Sequence, residues 1–200
     1  MKPLIITIGR QYASGGKDIA QVLAKKLGIP CYDKELLAIA AKESHFCQEI
    51  FETNDEKAMK NHFYLGSGLY SASHLPLNHQ LFIAQLKTIR MLAEKESAVF
   101  VGRCADYALS DHENCVNVFI HTNMEQRKER AVSCYGIAAE DCEKTLAKMD
   151  KQRASYYSFY SAQKWGFAPN YDLTLDSAIG TEKAVDVIIS YLQITGKLPD

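Results

Sequence analysis

The chain's hydrophobic pattern begins with Leu4-Ile5-Ile6-Thr7-Ile8, a nearly continuous apolar run rich in β-branched residues. A short run of this kind, ended by turn residues, predicts a strand buried on both faces of a parallel sheet. Beyond Gly15 and Gly16 the period changes, and Ile19, Val22, Leu23 and Leu27 recur at helical spacing. Lys25 and Lys26 occupy the last turn, where the helix dipole favours cations, and Gly28 and Pro30 stop the helix. Residues 34–60 read as helical in two pieces, with Ser44 as a cap. Residues 61–76, NHFYLGSGLYSASHLP, mix aromatic, Gly and Ser residues without a period and read as a loop, and 77–95 read as helical again. Ala98 to Val101 and Val116 to Ile120 predict two more strands. Thr122-Asn123-Met124-Glu125 has the form of a capping box, so a helix is expected to start near 123, and another to run from about Ala139 to Tyr157. Tyr171 to Leu175 predicts the last strand, and 181–194 a closing helix that buries Val185, Ile188, Ile189 and Leu192.

Strands alternating with helices argue for an α/β fold around a parallel sheet. Ligands of such sheets bind beyond the carboxyl ends of the strands, which directs attention to residues 9–18, 31–35, 102–106, 121–130 and 176–177. The 200 residues suit one domain, 1–200, or one domain with a small mobile insert. With 47% hydrophobic and 24% charged residues a packed core is expected. A net charge of −1 disfavours a general nucleic-acid binder. The apolar run at the start is too short for a signal peptide, and no stretch is long enough for a membrane span, so no membrane partner is expected. The six cysteines show no C-x-x-C pair or metal-ligand spacing and read as reduced thiols of a cytoplasmic protein. Oligomeric state is left open.

The turn after the first strand carries the first candidate chemistry. Successive glycine N–H groups before a helix can form an anion-binding nest, the helix N-terminus adds partial positive charge, and Lys17 adds a full one. A plain strand-to-helix turn with a solvated lysine is the other reading. The usual phosphate-loop pattern G-x-x-x-x-G-K-[ST] is altered: if Gly16-Lys17 is its G-K, Gln11 stands at the first glycine and Asp18 at the hydroxyl. Aligned without gaps to a nucleotide-kinase loop of the form I-T-I-D-G-P-S-G-A-G-K-G-T-L-A, Gly15 meets a motif glycine. Gly16 then falls on the lysine position, and Lys17 comes one residue later. Asp18 can still contact Mg²⁺ or its waters, but it also repels phosphate. Arg10 adds a cation at the other end of the loop, as a compensating phosphate contact or as a paired surface residue.

The segments RQYASGG, IPCYDKELL, VFVGRCADY, VFIHTNMEQRKER and MDKQRASYY…YDLTLDS occur in that order. Together they resemble the cytidylate kinase-like family, a branch of the P-loop nucleoside monophosphate kinases, over Ile6 to about Leu192. The resemblance implies a three-layer P-loop NTPase-type fold with a five-stranded parallel sheet, a helical monophosphate-binding insert at about 34–95 and a helical lid at about 134–165. It also implies transfer of the ATP γ-phosphoryl group, with Mg²⁺, to CMP or a related nucleotide. Residue by residue, it places Arg10, Ser14, Gly15, Gly16, Lys17 and Asp18 around the ATP phosphates, with Asp18 as the Mg²⁺ contact. It places Asp33, Arg103 and Asp106 around the acceptor. Asp33 is equally suited to capping the next helix. Gly102-Arg103 matches the G-R of a G-R-D segment, but Cys104 replaces the acid, which unsettles base recognition more than phosphate binding. Arg127 and Arg130, one helical turn apart, would reach the nucleotide or simply form a solvated face with Glu125 and Glu129. Arg153 and Lys151 would be phosphate clamps of the lid.

Lys17, Arg127 and Arg153 are therefore the expected catalytic cations, since phosphoryl transfer depends on positioning and charge neutralisation rather than on a covalent nucleophile. Tyr156, Tyr157, Phe159, Tyr160 and Trp165 form an aromatic group that either packs a helix or stacks on a base, with packing preferred. His121 reads as a structural histidine. Two other functions stand beside the kinase: a nucleotide-binding regulatory module with little turnover, favoured by the shifted lysine and Asp18, and a P-loop kinase with a different small-molecule acceptor, favoured by Cys104.

Overall fold

A computed structural model describes residues 2–44, 48–54 and 76–198. Five strands, β1 (Ile5–Arg10), β2 (Cys31–Tyr32), β3 (Ala98–Val101), β4 (Cys115–His121) and β5 (Leu173–Asp176), form one sheet in the order β2-β3-β1-β4-β5. Every pairing is parallel, with Ile6 of β1 opposite Val99 on one side and Val116 on the other. The helices are α1 (Gly16–Leu27), α2 (Glu35–Ser44), α3 (Gln48–Asn54), α4 (Leu77–Lys95), α5 (Ala105–Ala108), α6 (Met124–Tyr135), α7 (Cys142–Ser161) and α8 (Thr181–Ile194).

The alternation of a strand's side chains divides β1 between two cores. Ile6 and Ile8 pack with Ile19 and Leu23 of α1 and Val185, Ile188 and Leu192 of α8. Ile5 faces the other way, onto Leu36 of α2, Ile89 and Leu92 of α4, and Phe100 of β3. Helices thus cover both faces of a parallel sheet, the three-layer arrangement expected. Among the described residues no helix is long and apolar enough to cross a membrane. Cys31, Cys104, Cys115, Cys134 and Cys142 are free thiols.

Several boundaries differ from the sequence expectations for local reasons. Strand β2 is only two residues long, too short for any period, and the side-by-side N–H of Val99 to the Pro30 carbonyl extends its ladder. Ser44 does not cap the following helix: it ends α2 and its hydroxyl donates to the Ala40 carbonyl. Asn123, not Thr122, is the N-cap of α6, accepting the Gln126 N–H, while Thr122 Oγ1 donates to the Gln126 side chain. Helix α7 runs to Ser161 and ends at Ala162 in the left-handed region, with a short 3₁₀ turn, Ala139–Asp141, before it. The expected loop at 61–76 lies outside the described residues apart from Pro76, which precedes α4. The aromatic group packs: Tyr160 stacks on Phe82 of α4 with ring centroids 3.8 Å apart, and Tyr156 and Tyr157 are buried in the same cluster.

Candidate active site

The carboxyl ends of β1, β2, β3 and β4 bring together most of the charged residues singled out above. The loop after β1 is anchored at three points. Gln11 donates its N–H to the Ile120 carbonyl, and its side chain accepts from Thr122 N–H, so Gln11 ties the loop to β4 and the residue that follows it. Ser14 folds back, its hydroxyl donating to the Gln11 carbonyl at 2.9 Å. Ser177, just after β5, donates its hydroxyl to the Ser14 carbonyl at 2.6 Å. Gly15 then adopts φ +79° as the N-cap of α1, a conformation that L side chains rarely take. Helix geometry leaves the first N–H groups of α1 without intrahelical acceptors, and the first helical bond runs from Ile19 N–H to the Gly15 carbonyl. A helix dipole and its leading amides therefore point out of the carboxyl edge of the sheet.

Asp33 lies one residue beyond β2 and is buried. Its Oδ1 accepts from Arg103 Nη1 at 3.0 Å, and its Oδ2 pairs with Lys17 Nζ at 3.0 Å. The side chain is thus spent on two cations rather than on capping α2. Burial works against its charge, but Arg103, Lys17 and Arg10 more than offset this, and the carboxyl is held below its ordinary range. The same pair raises the Lys17 ammonium above its usual value.

Arg103 sits in an unusual turn. Gly102, Arg103 and Cys104 are consecutive left-handed residues at φ +71°, +56° and +55°. Each non-glycine residue held there costs on the order of 1 kcal/mol. The turn folds the Arg103 guanidinium back onto the Val101 carbonyl at 3.1 Å and onto Asp33, leaving its side chain 2% exposed.

Two arginines of α6 face the loop, as their spacing predicts, but with different duties. Arg127 is buried; its Nε donates to the Tyr12 carbonyl at 2.9 Å and its Nη2 to Asp150 Oδ2. Asp150 Oδ1 in turn accepts the Tyr12 N–H at 2.8 Å. One ion pair between α6 and α7 therefore grips both sides of Tyr12 in the loop. Arg127, expected over the transferring group or on a solvated face, is instead committed to the loop backbone. Arg130 pairs with Asp18, and its guanidinium lies about where a side chain on Gly15 would begin, 3.0–3.3 Å from that position. Arg153 of α7 donates to the Arg10 carbonyl at 3.2 Å and lies over the Tyr12 ring at 5.4 Å. Lys151 is exposed.

Beside this cationic group is a pocket lined by Arg10, Arg103, Cys104, Asp106, Arg153 and four aromatic residues, Tyr156, Tyr157, Trp165 and Tyr171. Burial pushes the Asp106 carboxyl up, although Tyr157 donates its hydroxyl to Oδ2 at 2.7 Å and works against the shift. A second pocket on the far side of the loop is lined by Ser14, Thr122, Gln126, Arg130, Ser177 and Ala178, among others. Among the described residues no group of His, Cys, Asp and Glu is arranged to hold a metal ion by itself. Asp18, with its side chain 47% exposed on the first turn of α1, fits an ion that draws most of its shell from phosphate and water.

Sequence reading gave no individual role to Asp150, Tyr12 or Ser177, and read Gln11 only as a departure from the phosphate-loop pattern. Asp150 opens the quoted segment Asp150-Lys151-Gln152-Arg153, but no local spacing reveals a partner 138 residues away.

Comparison with known proteins agrees with this geometry. The profile of the cytidylate kinase-like family matches residues 5–179. No curated protein is significantly similar to the chain. An uncharacterized protein from Eubacterium ventriosum, known by crystal structure, is 32% identical over 94% of this chain and 98% of its own, with a TM-score of 0.74. Shikimate kinase from Bacteroides thetaiotaomicron is 13% identical over 95% of this chain and 98% of its own, with a TM-score of 0.58. APS kinase from Mycobacterium tuberculosis, solved with AMPPNP and APS, is 12% identical over 96% of this chain and 98% of its own, with a TM-score of 0.54. The last two share the fold, which is that of P-loop kinases.

Proposed function

The chain belongs to the cytidylate kinase-like family, and from that premise we propose that it transfers the γ-phosphoryl group of ATP to a nucleoside monophosphate, CMP or a related nucleotide. One observation carries this reading: Lys17 from the first turn of α1 and Arg103 from the end of β3 meet on a single carboxylate, Asp33, beside the leading amides of α1. Cations from separate elements converge there, as a transfer between two phosphorylated ligands requires. The leading amides of α1 and Lys17 hold the ATP phosphates, while within the 13–18 turn the Ser14 N–H is engaged by the Gln11 carbonyl at 3.4 Å. Arg103, oriented by Asp33, presents a planar donor to the acceptor phosphate. Arg153 and Arg130 close over the transferring group, and Arg127 with Asp150 keeps the loop in shape. Mg²⁺, when bound, would neutralise charge on the phosphate oxygens, and Asp18, now paired with Arg130, is the residue that would hold it. The region 34–95 serves as the monophosphate-binding insert and 134–165 as the lid of one domain.

The narrow pocket of Arg103, Asp106, Tyr157 and Trp165 has to widen to take the acceptor. Cys104, buried where the resemblance calls for an acid, favours a second reading in which the acceptor is another small phosphate-accepting molecule, as the fold shared with shikimate and APS kinases allows. The experiment is incubation with Mg-ATP and a panel of nucleoside monophosphates and small alcohols, following ADP. Turnover with a nucleotide is expected, and Lys17→Ala and Arg103→Ala should each lose about a hundredfold in rate while remaining folded, from about 3 kcal/mol of lost charge stabilisation. Unchanged rates in both variants refute the assignment. No turnover with any acceptor, together with a rise in melting temperature on adding Mg-ATP, identifies a binding module instead.

A further inference from the structure

The phosphate loop departs from the ordinary pattern at two places, and the structure shows that the two are physically one. A β-carbon built on Gly16 would lie 2.6 Å from Arg10 Cβ and 3.1 Å from Arg10 Cγ. Real β-carbons essentially never come under 3.0 Å of another heavy atom, as the Arg10 Cβ contact would require, the Cγ contact is itself tight, and neither atom belongs to the flexible end of a side chain. Ile120 Cβ, at 3.2 Å from the same point, blocks a retreat toward β4. Positions 10 and 16 therefore cannot both carry side chains without a shift of the backbone that bears them. In the ungapped register with the nucleotide-kinase loop, Arg10 falls on the first glycine and Gly16 on the lysine. The chain has exchanged the two residue types across one contact: the cation has moved to the end of β1, and the glycine to the start of α1.

We propose that Arg10, alongside Lys17, is a phosphate cation of the loop, standing in for the lysine that ordinarily opens the helix, and that Gly16 is glycine because Arg10 passes over it. This deepens the proposed function and rests on it for the ligand, a triphosphate chain. Two further observations support the placement. Arg10 lines the same pocket as Arg103 and Arg153, and its charge helps hold the Asp33 carboxyl down, so its head group reaches the cationic cluster. Its own backbone is fixed by the Arg153 guanidinium on its carbonyl. Lys17, by contrast, is displaced one position along α1 and turned onto Asp33.

The test separates the steric claim from the ligand claim. Gly16→Ala is made in the native chain and in an Arg10→Gly background, and thermal unfolding is measured without ligand. A clear drop in melting temperature in the native background and a much smaller one beside Arg10→Gly is expected. Equal losses in both backgrounds overturn the exchange. Binding of Mg-ATP and of inorganic tripolyphosphate is then measured by calorimetry for the native protein, Arg10→Gly, and Arg10→Gly with Gly16→Lys. The single variant is expected to bind at least tenfold more weakly, and the double variant to recover most of that loss. Native-like binding by Arg10→Gly, or no recovery in a folded double variant, overturns the cation assignment. If the native protein binds neither probe, the proposed function and the cation assignment fall together, while the unfolding data still decide the exchange.

Discussion

Asp33 holds the site's charges together, and replacing it with alanine tests that claim directly. The Arg103 side chain is 2% exposed and that of Asp33 11%, so the pair is buried. Removing one member of a buried pair costs about 3–5 kcal/mol, because the other charge is left uncompensated. Arg103 keeps its bond to the Val101 carbonyl, which favours the lower end. Lys17 adds little, because its side chain is 45% exposed and can turn to water. A loss of about 3 kcal/mol lowers the melting temperature of a chain this size by about 6–12 °C. Asp33→Asn keeps an acceptor for Arg103 and should fall between the variant and the native protein. The sign of the pH dependence follows from the depressed carboxyl. A group whose folded pKa lies below its unfolded value contributes stability that is fully present above the ordinary carboxylate range, and that stability is lost as pH falls through the folded value. The gap in melting temperature between native and Asp33→Asn proteins should therefore be flat from about pH 8 to pH 6 and shrink below about pH 4. Scanning calorimetry across that range measures it. A drop under about 2 °C for Asp33→Ala, or a gap that widens in acid, would refute the reasoning.

Asp150→Ala removes the acceptor of the Tyr12 N–H and the partner of a buried arginine, so a loss of about 3 kcal/mol and faster hydrogen exchange at the Tyr12 amide are expected; Asp150→Asn should retain part of both. Tyr157→Phe deletes the hydroxyl that works against burial at Asp106, so the carboxyl should titrate higher still, read by carbon NMR of that side chain. Gly15→Ala forces a side chain into φ +79° and against the Arg130 guanidinium, so it should cost about 1–2 kcal/mol in thermal unfolding and disturb the Arg130–Asp18 pair.

Regular elements with a period were legible in the chain. Helix α4 and helix α8 run over the residues their patterns predict, and β3 is the apolar run Ala98–Val101. Where the signal is a single side chain, chemistry alone did not decide: Ser44 bonds backward to Ala40 rather than forward, and Asn123 outcompetes Thr122 for the N-cap. The candidate charged residues were legible because parallel sheets bind ligands at strand ends, and Arg10, Lys17, Asp33 and Arg103 all lie there. Their pairings were not. That Asp33 serves two cations, that Arg127 answers to Asp150, and that Arg10 crowds Gly16 are contacts between segments distant in sequence or turned by the local backbone, and no periodicity encodes them.

The grip of Arg127 and Asp150 on Tyr12 has a mechanical consequence. Because Asp150 of α7 and Arg127 of α6 hold the N–H and carbonyl of Tyr12, a displacement of α7 cannot leave the loop backbone at Tyr12 undisturbed. Under the lid role proposed above for 134–165, phosphate capture by the loop and movement of α7 share this one linkage at Tyr12.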